Sequence, residues 1–245
     1  MDKPIEYLNN LQSVLGKITE TQMPQIERAA QSFADALQNN RPVFLFGTGH
    51  SHMLAEELFY RAGGLVLIQP MLEPGLMLHV SASGSTLKER ETGYAQRLFE
   101  SYGLQKGDVL VIISNSGRNG VCIDLALLAK EEGVTVIALT NIRHSSAAAS
   151  RHPSGKRLFE IADTVLDNCG CVGDASIEFI SLGRFAGPTS TSAGAAILNA
   201  VVCGSVELLL QRGVVPALFS SSNVDGGDEI NNALVREYKD QIRFL

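Results

Sequence analysis

Five short, β-rich apolar runs constrain this chain more than any other feature: Val43 to Phe46, Leu65 to Ile68, Val109 to Ile113, Val134 to Leu139 and Thr164 to Leu166. A strand with one wet face alternates in polarity, so continuous runs of this kind read as strands covered on both faces. Between them lie helical patterns, at about residues 51 to 62, 87 to 103 and 119 to 132. Each is closed by a glycine (Gly63, Gly103, Gly133), as the position just past a helix end prefers. The alternation predicts an α/β fold, a parallel sheet with helices on both faces and right-handed crossovers.

Ahead of the first strand, Ile5, Leu8, Leu11 and Leu15, then Ile26, Ala30, Phe33 and Leu37, fall at helical spacing, with Pro24 marking a break. Two helices are therefore expected over about residues 1 to 40. The fifth strand is followed by the loop GRFAGPTSTSAGA, a long apolar helix to about Leu210 and the turn SSSNVDGGDE. A final helix is expected over about 228 to 241, capped by Asp228, with Asp225 shaping the turn before it. A length of 245 residues suits one domain, and no repeat or low-complexity linker divides the chain.

Charge and composition narrow the function classes. A net charge of −6 without a basic tract argues against a nucleic-acid partner, which needs clustered Lys and Arg. The opening MDKPIEYLNN lacks the basic start and apolar segment of a secretory signal, and the expected location is cytoplasmic. Ala193 to Leu210 is apolar but contains Asn199, Ser205 and Glu207, so it reads as a buried helix and no membrane contact is expected. Cys122, Cys169, Cys171 and Cys203 form neither a disulfide framework nor a zinc spacing, and a reduced state is expected.

The loops after the strands carry the chemistry, because ligands of open parallel sheets bind beyond the carboxyl ends of the strands. Gly47-Thr48-Gly49-His50-Ser51 follows the first strand. A dinucleotide fingerprint would need a third glycine at position 52, where the chain has His52. The remaining glycine pair and a hydroxyl at a helix start suit a phosphate monoester instead. Ser114-Asn115-Ser116-Gly117-Arg118-Asn119 repeats the arrangement after the third strand, Thr140-Asn141 ends the fourth, and Thr189-Ser190-Thr191-Ser192 opens the apolar helix. So many modest donors fit a polyol bearing a phosphate. No cofactor is expected.

These residues resemble the sugar isomerase (SIS) domain family over about Ala29 to Leu210. The stretches SSAAASRHPSGKRLFEIADTVLDN and GPTSTSAGAAILNA are further similar to single-domain bacterial members described as phosphoheptose isomerases. The resemblance implies a three-layer αβα sandwich around a five-stranded parallel sheet, and a homodimer or homotetramer with sites near subunit interfaces. It implies that Ser51, Ser114, Ser116 and Asn119 hold a sugar phosphate, with Ser190 and Thr191 lining the same pocket. Isomerases of the family carry an acid in or just after the second loop, or about ten residues past the first-loop serine; here Arg118 and Arg61 stand there.

Aldose-ketose isomerisation needs a base beside the reacting carbons. Glu73, in the loop IQPMLEPGLMLH, Glu57, six residues past Ser51, and His79 are the candidates. His50, His52 and His79 could also be read as metal ligands, but no metal is expected without three or four converging groups. Arg143, His144, Arg151, His152, Lys156 and Arg157 gather positive charge in one segment, either a solvated loop or a lid that attracts an anion. The function that follows is binding of a sugar phosphate and its aldose-ketose isomerisation. The alternatives are a non-catalytic sugar-phosphate sensor and an amino-sugar-phosphate lyase or etherase.

Overall fold

A computed structural model describes residues 2–245. Helices α1 (Lys3–Thr21) and α2 (Met23–Gln38) lead into β1 (Val43–Gly47) and α3 (His52–Leu58). Then follow β2 (Ile68–Met71), α4 (Ala82–Lys88), α5 (Ala95–Tyr102), β3 (Val109–Ile113), α6 (Gly120–Glu131), β4 (Thr135–Thr140), α7 (Ile142–Ser146) and β5 (Thr164–Asp167). The chain continues through β6 (Ala175–Phe179), β7 (Arg184–Pro188), α8 (Ser190–Gln211) and α9 (Gly227–Tyr238).

The five strands β1 to β5 form one parallel sheet in the order β2-β1-β3-β4-β5. Strand residues alternate between two cores, as the twofold period of a strand requires. Leu45, Val111, Ile113, Ile137 and Leu139 pack with Phe33 of α2, Leu54 of α3 and Ile197 and Val201 of α8. Phe44, Phe46, Leu110, Ile112 and Val136 pack on the other face with Leu98 and Phe99 of α5 and Val121 and Leu125 of α6. The chain winds outward from β1 to β2 on one side and from β3 to β5 on the other. The crevice between the ends of β1 and β3 is therefore the topological switch point.

Helix α8 has the length and apolar composition of a membrane span, but Ile197, Leu198, Val201 and Leu209 on it are buried in the protein core. Small residues let it approach α2 closely: a Cβ on Gly204 would stand 3.0 Å from that of Ala30. The Ser205 hydroxyl, fully buried there, is satisfied by the carbonyls of Val201 at 2.6 Å and Ala30 at 3.3 Å.

The elements differ from the sequence reading in five places. Of the run Leu65 to Ile68, only Ile68 lies in β2. Leu65 instead bridges Leu218, and the Val66 N–H donates to the Ala217 carbonyl, so the C-terminal segment claims the start of the run. The helix expected over 87 to 103 is two helices, α4 and α5, separated by a turn containing Gly93 at φ +76°. Helix α3 ends at Leu58, short of Gly63, and α9 is capped by Gly226 in the left-handed region, with Asp228 inside its first turn rather than at the cap. The segment containing GRFAGP is not a loop: β6 and β7 pair as an antiparallel hairpin that exposes Ile180, Leu182 and Phe185.

Leu45 is fully buried on the central strand β1. Leu45→Ala should lower unfolding stability by about 2–5 kcal/mol, read from the midpoint of urea denaturation, because the lost methyl groups leave a cavity that the flanking strands cannot close.

Candidate functional site

Two loops meet at the switch point, and glycines set the path of each. In the first, a Cβ on Gly47 would come within 2.6 Å of the Ser51 carbonyl carbon, so the chain can fold back onto the end of β1 only without a side chain there. Gly49 lies at φ +55°, a region glycine enters without strain. The Ser51 N–H donates to the Thr48 carbonyl, while the Ser51 side chain makes no capping bond to α3. His52 is buried, with Nδ1 against the Gly49 carbonyl, and serves the turn.

In the second loop the Gly117 N–H donates to Ser114 Oγ at 3.1 Å, and Gly117 sits at φ +56°. A Cβ on Gly117 would stand 3.0 Å from Ser145 Oγ and 3.3 Å from Thr140 Oγ1. Asn119 precedes α6 but does not cap it with its side chain. The first-loop serine and the second-loop asparagine thus stand at helix starts without capping the helices, and the N–H groups of His52 and Val121 there are taken by the carbonyls of Gly49 and Glu89.

On the α8 face of the sheet, His50, Ser51, Asn115, Asn168, Ser190 and Thr191 surround a narrow cleft floored by Leu54, Ile113 and Leu139. Its far wall is a chain of carboxamides. Asn141 Nδ2 donates to Asn168 Oδ1 at 2.8 Å, Asn168 Nδ2 donates to Asn115 Oδ1 at 2.7 Å, and Asn168 Oδ1 also accepts from the Gly170 N–H. At the start of α8, Asp174 accepts from the N–H groups of Thr189 and Ser190 and from the Ser190 hydroxyl at 2.6 Å. A carboxylate so placed satisfies the positive end of the helix dipole. The Thr189 hydroxyl is fully buried there without a partner.

The other face of the crevice holds a residue that sequence reasoning missed. Glu89, which follows α4, receives the Thr48 hydroxyl on one carboxylate oxygen at 2.7 Å and Asn119 Nδ2 on the other at 3.0 Å. One carboxylate therefore joins the first loop to the second. Its backbone carbonyl accepts from the Val121 N–H at the start of α6, which fixes the segment against that helix. Burial, followed by the charge of Glu89, pushes the nearby Cys122 thiol up to about 12, so Cys122 stays neutral.

The three bases read from the sequence are not hydrogen-bonded to Thr48 or Asn119. Glu57 pairs with Arg61 one turn along and meets Asn199 Nδ2 at 3.4 Å. Glu73 accepts from the Tyr94 hydroxyl at 2.6 Å; burial and that contact push the Tyr94 phenol up to about 12. His79 is exposed and meets the His52 ring edge-on, with centroids 6.1 Å apart. Among the described residues, no group of three or more His, Cys, Asp or Glu side chains is placed to hold a metal ion. In the basic segment, His152 is bound by Asp124 and Arg157 by Glu160, and Arg151 reaches the second loop through Asn119 Oδ1 at 3.0 Å.

Asn168 is the middle member of the carboxamide chain, so Asn168→Ala should strand Asn141 Nδ2 and Asn115 Oδ1 in a buried setting. A loss of about 1–3 kcal/mol of stability in chemical denaturation is expected; a change below about 0.5 kcal/mol would show that the chain is solvated rather than structural.

Comparison with known proteins places the family and the fold. The SIS domain model matches residues 6–141. A UPF0309 protein of Oceanobacillus iheyensis is 43% identical over 241 residues, covering 98% of each chain, and one of Shouchella clausii is 42% identical with the same coverage. A phosphoheptose isomerase from Francisella tularensis is similar in structure, with a TM-score of 0.53 and 19% identity over 84% of this chain and 97% of that one. The sugar isomerase domain of an RpiR transcription factor from Sphaerobacter thermophilus gives a TM-score of 0.51 and 17% identity over 98% of this chain and 99% of that one. The structural likenesses are likenesses of fold, while the family match and the 43% identity establish descent: the chain belongs to the SIS domain family.

Proposed function

We propose that the protein binds a phosphorylated sugar at the crevice between β1 and β3 and interconverts its aldose and ketose forms, with Glu89 as the base. The observation that carries this reading is the Glu89 carboxylate bonded to Thr48 and Asn119, one group from each loop. Catalytic carboxylates act from fixed positions, and two donors from different loops fix this one. Support also comes from the fold shared with a phosphoheptose isomerase. The phosphate would take the hydroxyls of Ser51 and Ser116 and the amide groups of the two glycine turns, and the cleft lined by Asn115, Asn168, Ser190 and Thr191 would take sugar hydroxyls.

In the forward reaction Glu89 removes the proton from C2 of the aldose while negative charge gathers on O1. The same proton returns to C1, and the O2 hydroxyl proton passes to O1, so substrate and product differ only in where the carbonyl stands. Glu57 and Glu73 are already committed to Arg61 and Tyr94 and are not bonded to either loop.

The test is a panel of aldose and ketose phosphates incubated with the purified protein in D2O, with turnover and solvent deuterium followed by NMR and binding by thermal shift. Glu89→Gln keeps the size of the side chain and should retain binding while turnover falls by about 10²–10⁴-fold. Binding without turnover in the unaltered protein would favour the sensor reading, and equal rates for Glu89→Gln and the unaltered protein would remove Glu89 as the base. Loss of a substituent from C3 with no ketose product would point to the elimination chemistry of a lyase.

A further inference from the structure

Three arginines close on the second loop from three different segments. Arg118 belongs to the loop, and its carbonyl accepts from the Arg151 N–H at 2.9 Å. Arg151 donates through Nη1 to Asn119 Oδ1 at 3.0 Å. Arg90 follows Glu89, and its backbone carbonyl lies 2.9 Å from where a Cβ on Gly120 would stand, so this segment packs on the start of α6. Among the described residues none of the three has a carboxylate within ion-pair distance. Arg118 Nε is buried and has no hydrogen-bond partner at all.

Such a cluster favours an anion, because like charges repel and the buried Arg118 Nε, left unpaired, loses its hydration, while Arg90 and Arg151 remain exposed and able to reach a ligand. The repulsion is felt: partial desolvation together with the charges of Arg118 and Arg90 holds the Arg151 guanidinium below the ordinary arginine value. The acid close by, Glu89, is already held by Thr48 and Asn119 and does not neutralise three cations. The cluster therefore lacks a counter-charge, and it stands on the α6 side of the crevice, whereas the hydroxyl-rich cleft opens on the α8 side.

We infer that Arg90, Arg118 and Arg151 form a subsite for a second anionic group on the substrate, so that the preferred ligand is a sugar phosphate bearing a carboxylate or a second phosphate. The inference rests on the sugar-phosphate reading of the site and narrows its substrate class. Guanidinium forks pair with either oxyanion in the bidentate manner, and both sources share that chemistry.

The test measures dissociation constants of the full chain for 6-phosphogluconate, a hexose 1,6-bisphosphate and glucose 6-phosphate, by calorimetry at fixed ionic strength. At least one doubly anionic compound should bind about tenfold or more tightly than glucose 6-phosphate. Preference between the two doubly anionic compounds assigns the second group as carboxylate or phosphate. Arg90→Ala, at an exposed position, and Arg151→Ala should each reduce that advantage to within about threefold while leaving glucose 6-phosphate binding in place. Melting temperatures of both variants establish that they fold. Equal affinity for all three compounds would overturn the inference alone, as would an equal loss for glucose 6-phosphate in both variants, which would make the arginines the site of the single phosphate. Failure of every compound to bind would overturn the sugar-phosphate reading and the inference with it.

Discussion

Because every residue of β1 and β3 is buried, polar groups of this chain can gather only where those strands end. A parallel sheet covered on both faces has its backbone groups satisfied within the ladder and its side chains committed to two cores. The strand order then decides which end matters. With β1 turning outward to β2 and β3 turning the other way, the loops after these two strands part, and the space between them is open to a ligand. The glycines at 47, 49 and 117 are consequences of that crowding, since each loop must turn sharply against its own strand or against α7.

The two sides of the crevice differ in chemistry because they inherit different faces of the sheet. On the α8 side the alternation of β3 and β4 brings up Ile113 and Leu139, and above them sit neutral donors and acceptors: the carboxamide chain, Ser190 and Thr191. On the α6 side stand Thr48, Ser114 and Glu89, with the arginines beyond. A neutral hydrogen-bonding wall suits hydroxyl groups, whose recognition is geometric. A charged wall suits proton transfer and anions, where field rather than shape decides. One strand period thus separates a neutral wall from a charged one.

The sheet, its flanking helices and both loops were legible in the sequence because each depends on neighbours close along the chain: apolar runs, helical spacing, a glycine beside a hydroxyl. What stayed hidden depends on distant partners. Glu89 lay inside a segment that reads as one helix, and its meaning comes from Thr48, 41 residues away, and Asn119, 30 residues away. Nothing in the spacing of Lys88-Glu89-Arg90-Glu91 distinguishes a site carboxylate from a solvated helix face. Likewise the β6–β7 hairpin has no two-residue turn of the usual kind and exposes apolar residues on its tip, so GRFAGP read as a loop. Glu57 stands out by its place six residues past Ser51 and Glu73 by its loop after the second strand, and neither criterion registers hydrogen bonds to both loops.

Arg118 occupies the place after the second loop where the family resemblance leads one to expect an acid, and Glu89 offers a physical reason why the exchange is tolerable. A carboxylate in the crevice can be supplied from the loop or from the segment that packs across it, provided the donors that orient it come from the loops themselves. Here the segment after α4 packs so closely on Gly120 that its carbonyls leave no room for a Cβ, which brings Glu89 within reach of Thr48 and Asn119. With that carboxylate already bonded to both loops, an acid at position 118 would add a second negative charge to the same loop, and like charges near one another raise the cost of ionising either one. An arginine at 118 avoids that repulsion, and its charge, with that of Arg90, is felt at Arg151. The sign of the charge at 118 is thus compatible with a carboxylate that reaches both loops from the segment after α4.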